Sequence, residues 1–201
     1  MNRIAVFCSG EGTNLQAILD AIRKKSLKAT LALVVSDRPR AFALTRARRA
    51  GVETEVLRPR DFPSRAHYEQ ALLHLLKARR VEVVVLAGFM RILSPMFVRA
   101  YRNRILNIHP ALLPAFRGMN AVQETLAQGV RVTGVTIHLV DEGVDTGPIV
   151  LQEAVPVKPN DTEQTLSERI HRVEHRLYPK AIALLLQNKL CVVGRKVEGI
   201  R

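Results

Sequence analysis

Short runs of β-branched and apolar residues alternate with stretches of helical period along almost the whole chain, and this alternation constrains the fold more than any other feature. Strands separated by helices belong to crossover units, because parallel neighbours cannot be joined by a tight turn. Strands are expected at Arg3–Cys8, Thr30–Ser36, Glu53–Leu57, Glu82–Ala87, Ile105–Ile108, Val132–Val140 and Ile149–Val155. Helices are expected near 14–24, 42–50, 64–80, 95–102, 121–128 and 163–187. Tyr68, Leu72, Leu75 and Leu76 recur at helical spacing. Pro95 suits a first helical turn, and Pro179 predicts a kink or break in the last helix. The fold class is α/β: a single-domain, doubly wound, mostly parallel twisted sheet with helices on both faces. One domain is expected over 1–201, made of two halves at 1–100 and 101–190.

Composition narrows the setting. A chain of 201 residues with 47% hydrophobic content can bury a proper core. Cys8 and Cys191 lie in apolar runs and are too few for a disulfide framework or a zinc cluster, which fits a reduced cytoplasm. The chain enters a strand pattern at Ile4 without a leader, and its longest apolar run, Val83–Met90, is too short for a bilayer. The net charge of +13 is uneven: residues 1–100 carry 18 basic against 8 acidic side chains, the rest 13 against 10. Arginines 38, 40, 46, 48, 49, 58 and 60 are spread over helices and loops. The six Phe and three Tyr do not interleave with them as a stacking platform would. A solvated basic surface, or steering of small anions, accounts for this better than specific RNA binding.

Three segments carry chemistry. In Ser9-Gly-Glu-Gly-Thr-Asn14, between the first strand and first helix, glycines let backbone N–H groups approach an anion where the helix dipole favours one. Thr13 and Asn14 can donate from their side chains or cap the helix. A dinucleotide fingerprint, with Asp37 as its ribose ligand, lacks its third glycine at Leu15, so a phosphate monoester fits better. Val85–Leu93 runs past the carboxyl end of a central strand, and Met90, Ile92 and Leu93 around Arg91 could accept a flat, partly polar ring; core packing explains the apolar residues equally well. Asn107 and His109 stand two apart at a strand end before Pro110, so both side chains leave one face. An amide beside an imidazole suits a carbonyl that becomes an oxyanion. A carboxylate from Asp141-Glu-Gly-Val-Asp-Thr-Gly147 could orient the imidazole and raise its pKa, although Asp-Thr-Gly also makes good turns. His138 lies on a strand in the same region. His67, His74, His171 and His175 lie on helices, and no histidine pair with a flanking acid has metal-ligand spacing.

Together, Ser9–Gln16, Leu86–Ser94, Leu106–Pro114 and Asp141–Pro148 resemble the folate-dependent phosphoribosylglycinamide formyltransferases, from about Asn2 to Gln187. Asn-x-His-Pro and Asp-x-x-x-Asp-Thr-Gly are shared across the wider superfamily. The phosphate loop and Met-Arg-Ile-Leu point to the glycinamide ribonucleotide branch. The resemblance implies formyl transfer from 10-formyltetrahydrofolate, without metal, to the amine of phosphoribosylglycinamide in purine biosynthesis. It implies Asn107, His109 and Asp145 as catalytic. Gly12, Thr13, Asn14, His171, Arg172, Val173 and Glu174 would bind the ribonucleotide. Arg65, Met90, Arg91, Ile92, Leu93, Asn107, Asp141, Glu142, Gly143, Val144 and Asp145 would bind the folate. The expected protein is cytoplasmic, a monomer or homodimer acting on small molecules, with no specific nucleic acid or membrane partner. Arg117 stands where many relatives carry proline, and Arg117-Gly118 is closer to the tRNA-directed branch. His171 and Arg172 replace the Lys or Gln types often seen near the phosphate. The end at Arg201 leaves no room for the second, basic domain of the tRNA enzyme. Rival readings are a formyltransferase acting on another amine (initiator methionyl-tRNA or an amino sugar nucleotide) and a basic nucleotide- or RNA-binding module.

Overall fold

The computed structural model describes residues 2–198. Seven strands form one sheet: β1 (Arg3–Phe7), β2 (Thr30–Ser36), β3 (Thr54–Val56), β4 (Val83–Leu86), β5 (Ile105–His109), β6 (Val132–Leu139) and β7 (Ile149–Pro156). Their spatial order is β3-β2-β1-β4-β5-β6-β7. β3 through β5 are mutually parallel, joined by helices α1 (Thr13–Arg23), α2 (Phe42–Arg49), α3 (Arg65–Ala78) and α4 (Pro95–Ala100). β6 and β7 run antiparallel. The loop between them holds no helix, so the chain turns straight back.

Residue alternation divides the core. On β1, Ile4 and Val6 join one apolar cluster while Ala5 and Phe7 join the other. The first cluster packs α1, α2, α5 (Ala121–Ala127) and α6 (Glu163–Leu186) on one face; the second packs α3 and α4 on the opposite face. Burying one side chain such as Phe7 or Leu72 contributes about 1.5–3 kcal/mol. The stripe read on α3 is buried at Tyr68, Leu72, Leu75 and Leu76. Pro95 occupies the first turn of α4, capped by the Ser94 hydroxyl, which accepts from Phe97 N.

Of the kink or break expected at Pro179, the break does not occur. α6 runs unbroken through Pro179. Leu177, Tyr178, Ala181 and Ile182 are buried on both sides of the proline, and this packing outweighs one lost backbone donor. The Tyr178 hydroxyl, 2.8 Å from Leu86 O and 3.0 Å from Leu106 O, pins the same stretch to the sheet. Beyond α6, β8 (Cys191–Val193) and β9 (Lys196–Glu198) form a hairpin that the strand pattern did not reveal; Gly194 takes φ 60° in its turn.

The winding decides where ligands can sit. The chain lays β1 centrally, moves outward to β2 and β3, then returns to place β4 on the other side of β1. Helices leave in opposite senses at this switch point, opening a crevice at the strand carboxyl ends.

Candidate active site

The crevice is a cleft of about 1130 Å³ lined by Ser9–Asn14, Leu86–Leu93, Asn107–Pro110, His138, Asp145 and Glu174, among others. On β5, Ile105 packs into one core cluster and Leu106 and Ile108 into the other. Asn107 and His109 therefore leave on the Ile105 side. β6 pairs with β5 so that His138 stands opposite Asn107. The loop after β6 then brings Asp145 between them. Asp145 Oδ2 lies 3.4 Å from His109 Nδ1 and accepts from Gly118 N at 2.9 Å. Asp145 Oδ1 accepts from Asn107 Nδ2 at 3.3 Å and lies 3.4 Å from His138 Nε2.

This surrounding sets the ionisation of the carboxylate. Burial alone would raise Asp145, but the His138 and Gly118 hydrogen bonds and both imidazoles pull it down to about 2. Its backbone sits at φ 51°, a left-handed conformation that aspartate tolerates better than most residues. Asp141 fixes the turn beneath it: Oδ1 accepts from Gly143 N at 3.1 Å and from Thr146 Oγ1 at 2.6 Å.

His109 is buried, and its Nε2 lies 2.7 Å from Phe116 O, so Nε2 carries a hydrogen. Burial lowers its pKa, and the opposing pull of Asp145 and of the Phe116 carbonyl does not restore it. The carboxylate acts in the expected direction, but the imidazole ends below its ordinary value because desolvation penalises the cation more.

The glycine loop meets the same cleft. Gly12 caps α1 at φ 72° without any side-chain cap. The first N–H groups of the helix are left for another acceptor. Asn14, a possible cap in the sequence, donates instead to Glu174 Oε2 on α6 at 2.8 Å. Burial pushes the Glu174 carboxyl up, although Asn14 and His171 oppose it. On the other wall, Met90 and Ile92 are 51% and 63% exposed beside buried Phe89 and Leu93. Arg65 Nη2 braces this segment through Ile92 O at 2.7 Å. An apolar lip with arginines at its margin fits a flat heterocycle bearing anionic groups.

Residues 2–182 match the formyl transferase family profile. The chain belongs to the formyl transferase family. It is 41% identical over 186 residues to phosphoribosylglycinamide formyltransferase from Bacillus subtilis, covering 92% of this chain and 95% of that protein. It is 49% identical over 201 residues to the trifunctional purine biosynthetic protein adenosine-3 of Drosophila pseudoobscura pseudoobscura, covering 99% of this chain but only 14% of that longer protein. The crystal structure of glycinamide ribonucleotide transformylase 1 from Symbiobacterium toebii superposes with a TM-score of 0.98 at 49% identity, covering 100% of this chain and 95% of that one.

Within this formyl transferase fold, most residues singled out in the sequence gather in the cleft. Glu142, Arg172 and Val173 do not. Glu142 turns outward, where its oxygens accept from Arg99 Nε and Nη2 at 2.8 and 3.1 Å. On α6, His171 and Glu174 are three apart and share the cleft-facing side. Arg172 is exposed, and Val173 packs against the core. Other residues emerge only here. Phe116 and Gly118 touch His109 and Asp145 through backbone atoms, which no side-chain motif encodes. Glu69 is buried and braces the lip, accepting from Ser94 N at 2.9 Å and from Ser94 Oγ and Arg65 Nε. Its signal was legible: it stands three before Leu72 and seven before Leu76, a charge on the apolar stripe. No described helix is long and apolar enough to cross a membrane.

Proposed function

We propose that the chain transfers a formyl group from 10-formyltetrahydrofolate to the primary amine of phosphoribosylglycinamide, giving formylglycinamide ribonucleotide and tetrahydrofolate in purine biosynthesis. The observation that carries this reading is the meeting of Asn107, His109 and Asp145 in one cleft with a helix-N-terminal glycine loop. The names of the Bacillus and Symbiobacterium relatives support the same substrate.

In this reading the loop Gly12–Asn14 grips the phosphate through backbone N–H groups, and Glu174 receives the glycinamide end. Met90, Ile92 and Val144 line the folate ring's seat, with Arg65 at its margin. The substrate amine attacks the formyl carbon, a C–N bond forms, and the carbonyl oxygen gains charge. Asn107 and the His109 Nε2–H stabilise that oxygen. The formyl oxygen takes over the donor that Phe116 O now holds. The ring that stabilises this oxygen takes a second proton from solvent onto Nδ1, and Asp145, 3.4 Å away, accepts from that N–H and favours the cation. The carbon–nitrogen bond to the folate then breaks, and the amine's proton reaches the departing folate nitrogen through water. The protein works in the cytoplasm as a monomer or homodimer.

Absorbance-monitored formyl transfer tests this directly, with phosphoribosylglycinamide, initiator methionyl-tRNA and water offered as competing acceptors. Transfer to the ribonucleotide alone is expected. Faster transfer to tRNA would overturn the acceptor assignment and favour the branch that Arg117-Gly118 resembles.

A further inference from the structure

A buried polar knot lies behind the cleft, where β1, β2 and β4 end. Asp37 follows the last residue of β2 and is only 7% exposed. Its Oδ1 accepts from Ser9 Oγ at 2.6 Å, and its Oδ2 accepts from Arg91 Nε at 2.8 Å. Ser9 Oγ in turn accepts from Met90 N at 3.0 Å, and Ser9 N donates to Gly88 O at 3.0 Å. Ser9 opens the glycine loop, and Met90–Leu93 is the apolar lip. One carboxylate thus holds both ligand-facing segments, one with each oxygen.

The knot is neither a nucleotide ligand nor a surface ion pair. Each carboxylate oxygen is engaged by the protein and the buried side chain does not line the cleft, so Asp37 does not face a ribose. The Asp37 side chain is 4% exposed against 43% for Arg91, so the anion is anchored inside while the guanidinium reaches toward solvent. A carboxylate buried in this way resists displacement, because separating it from either donor leaves an unpaired polar group. Any shift of Ser9 would therefore be passed to Met90 N and to Arg91.

We propose that Asp37 is a positioning residue that couples the two sub-sites, so that occupation of the glycine loop raises affinity at the lip and the reverse. The proposal rests on the assignment of ribonucleotide and folate to these sub-sites. Coupling between binding sites is reciprocal, and a factor on the order of ten is typical.

The test is calorimetric titration of phosphoribosylglycinamide with and without saturating tetrahydrofolate, which has no formyl group to transfer. Wild-type protein is expected to bind the ribonucleotide about tenfold more tightly with the folate present. Asp37→Asn keeps the shape of the side chain but loses its charge, and should bring that ratio to within about twofold of one. Ser9→Ala cuts the link from the other end while leaving the Asp37–Arg91 pair intact, and should do the same. It decides the matter if Asp37→Asn fails to fold. A purely structural knot would lower thermal stability and weaken both affinities while leaving the ratio unchanged, which overturns the coupling. Wild type that binds both ligands with a ratio of one also overturns it, without touching the proposed reaction. Wild type that binds neither ligand sinks the assignment of the cleft, and the coupling falls with it.

Discussion

The loop Ser9–Asn14 and the loop Asp141–Gly147 both line the cleft, yet they are held from different directions. The first is held by its neighbours. Asp37 and Met90 grip Ser9, Ala43 N donates to Gly10 O at 3.1 Å, and Arg46 Nε donates to Glu11 O at 2.8 Å. An added Cβ on Gly12 would lie 2.6 Å from Ala43 Cβ. The second loop fixes its own turn, through Asp141 to Gly143 and Thr146 and by close closure of Gly147 onto Leu139 O, before Arg99 grips Glu142 and Gly118 N and Asn107 donate to Asp145. A further outside contact, Arg195 Nη2 donating to Thr146 O at 3.1 Å, comes from the hairpin. A loop that offers backbone N–H groups needs only a rigid scaffold around it. A loop that must deliver both oxygens of one carboxylate to four partners has to fix its own backbone first.

Breaking the carboxylate arrangement should cost most. His109→Ala is expected to lower kcat by about 10²–10³, the loss of an oxyanion donor, while ribonucleotide binding by calorimetry stays near wild type. Wild-type turnover would remove His109 from the reaction. Gly147→Ala comes next: a Cβ there overlaps Leu139 O, so the loop must shift and Asp145 with it. A kcat loss of at least about tenfold is expected, in line with misplacement of a catalytic group, with little change in KM for the ribonucleotide. Equal effects on kcat and KM would show that the two loops are not independent.

Gly12→Ala attacks the other loop. Its positive φ and the contact with Ala43 oppose a side chain, at a cost of about 1–3 kcal/mol. KM for the ribonucleotide should rise about tenfold, with kcat less affected. A variant that lost kcat alone would reverse the roles given to the loops.

The smallest effects lie in acid stability. Asp145 is held at about 2, below its ordinary 3.8, so its contribution is complete above about pH 4 and is lost as pH falls toward 2. Asp145→Asn should flatten that acid limb of Tm against pH. His109 shifts downward as well, but as a base: its neutral form is favoured in the fold, so stability falls as pH drops below about 6.5 and the unfolded chain takes up the proton. His109→Gln should remove that earlier decline. Superimposable Tm–pH curves would deny that burial disfavours the cation.

The legible parts of the site are those written in short-range spacing. Asn107 and His109 share a face because they are two apart on a strand, and the glycine loop announces itself between β1 and α1. Helical spacing also separates His171 and Glu174 from Arg172 and Val173, although the segment resemblance grouped all four. His138 could be placed in the region, but its position opposite Asn107 depends on the register of β5 with β6. Asp37 could be weighed only as a ribose ligand, since the partners that occupy it, Ser9 and Arg91, are 28 and 54 positions away.

From its own residues the chain determines an α/β sheet, which strands are buried, and the amide–imidazole pair at the end of β5, because hydrophobic period and i, i+2 geometry are local properties. The tertiary structure alone decides which carboxylate meets that pair, that Phe116 O claims the His109 Nε2–H, and that burial depresses the imidazole. It also decides that one buried aspartate joins the two halves of the cleft. Those facts depend on desolvation and on contacts between distant segments, and both arise only when the chain crosses back over itself at the switch point.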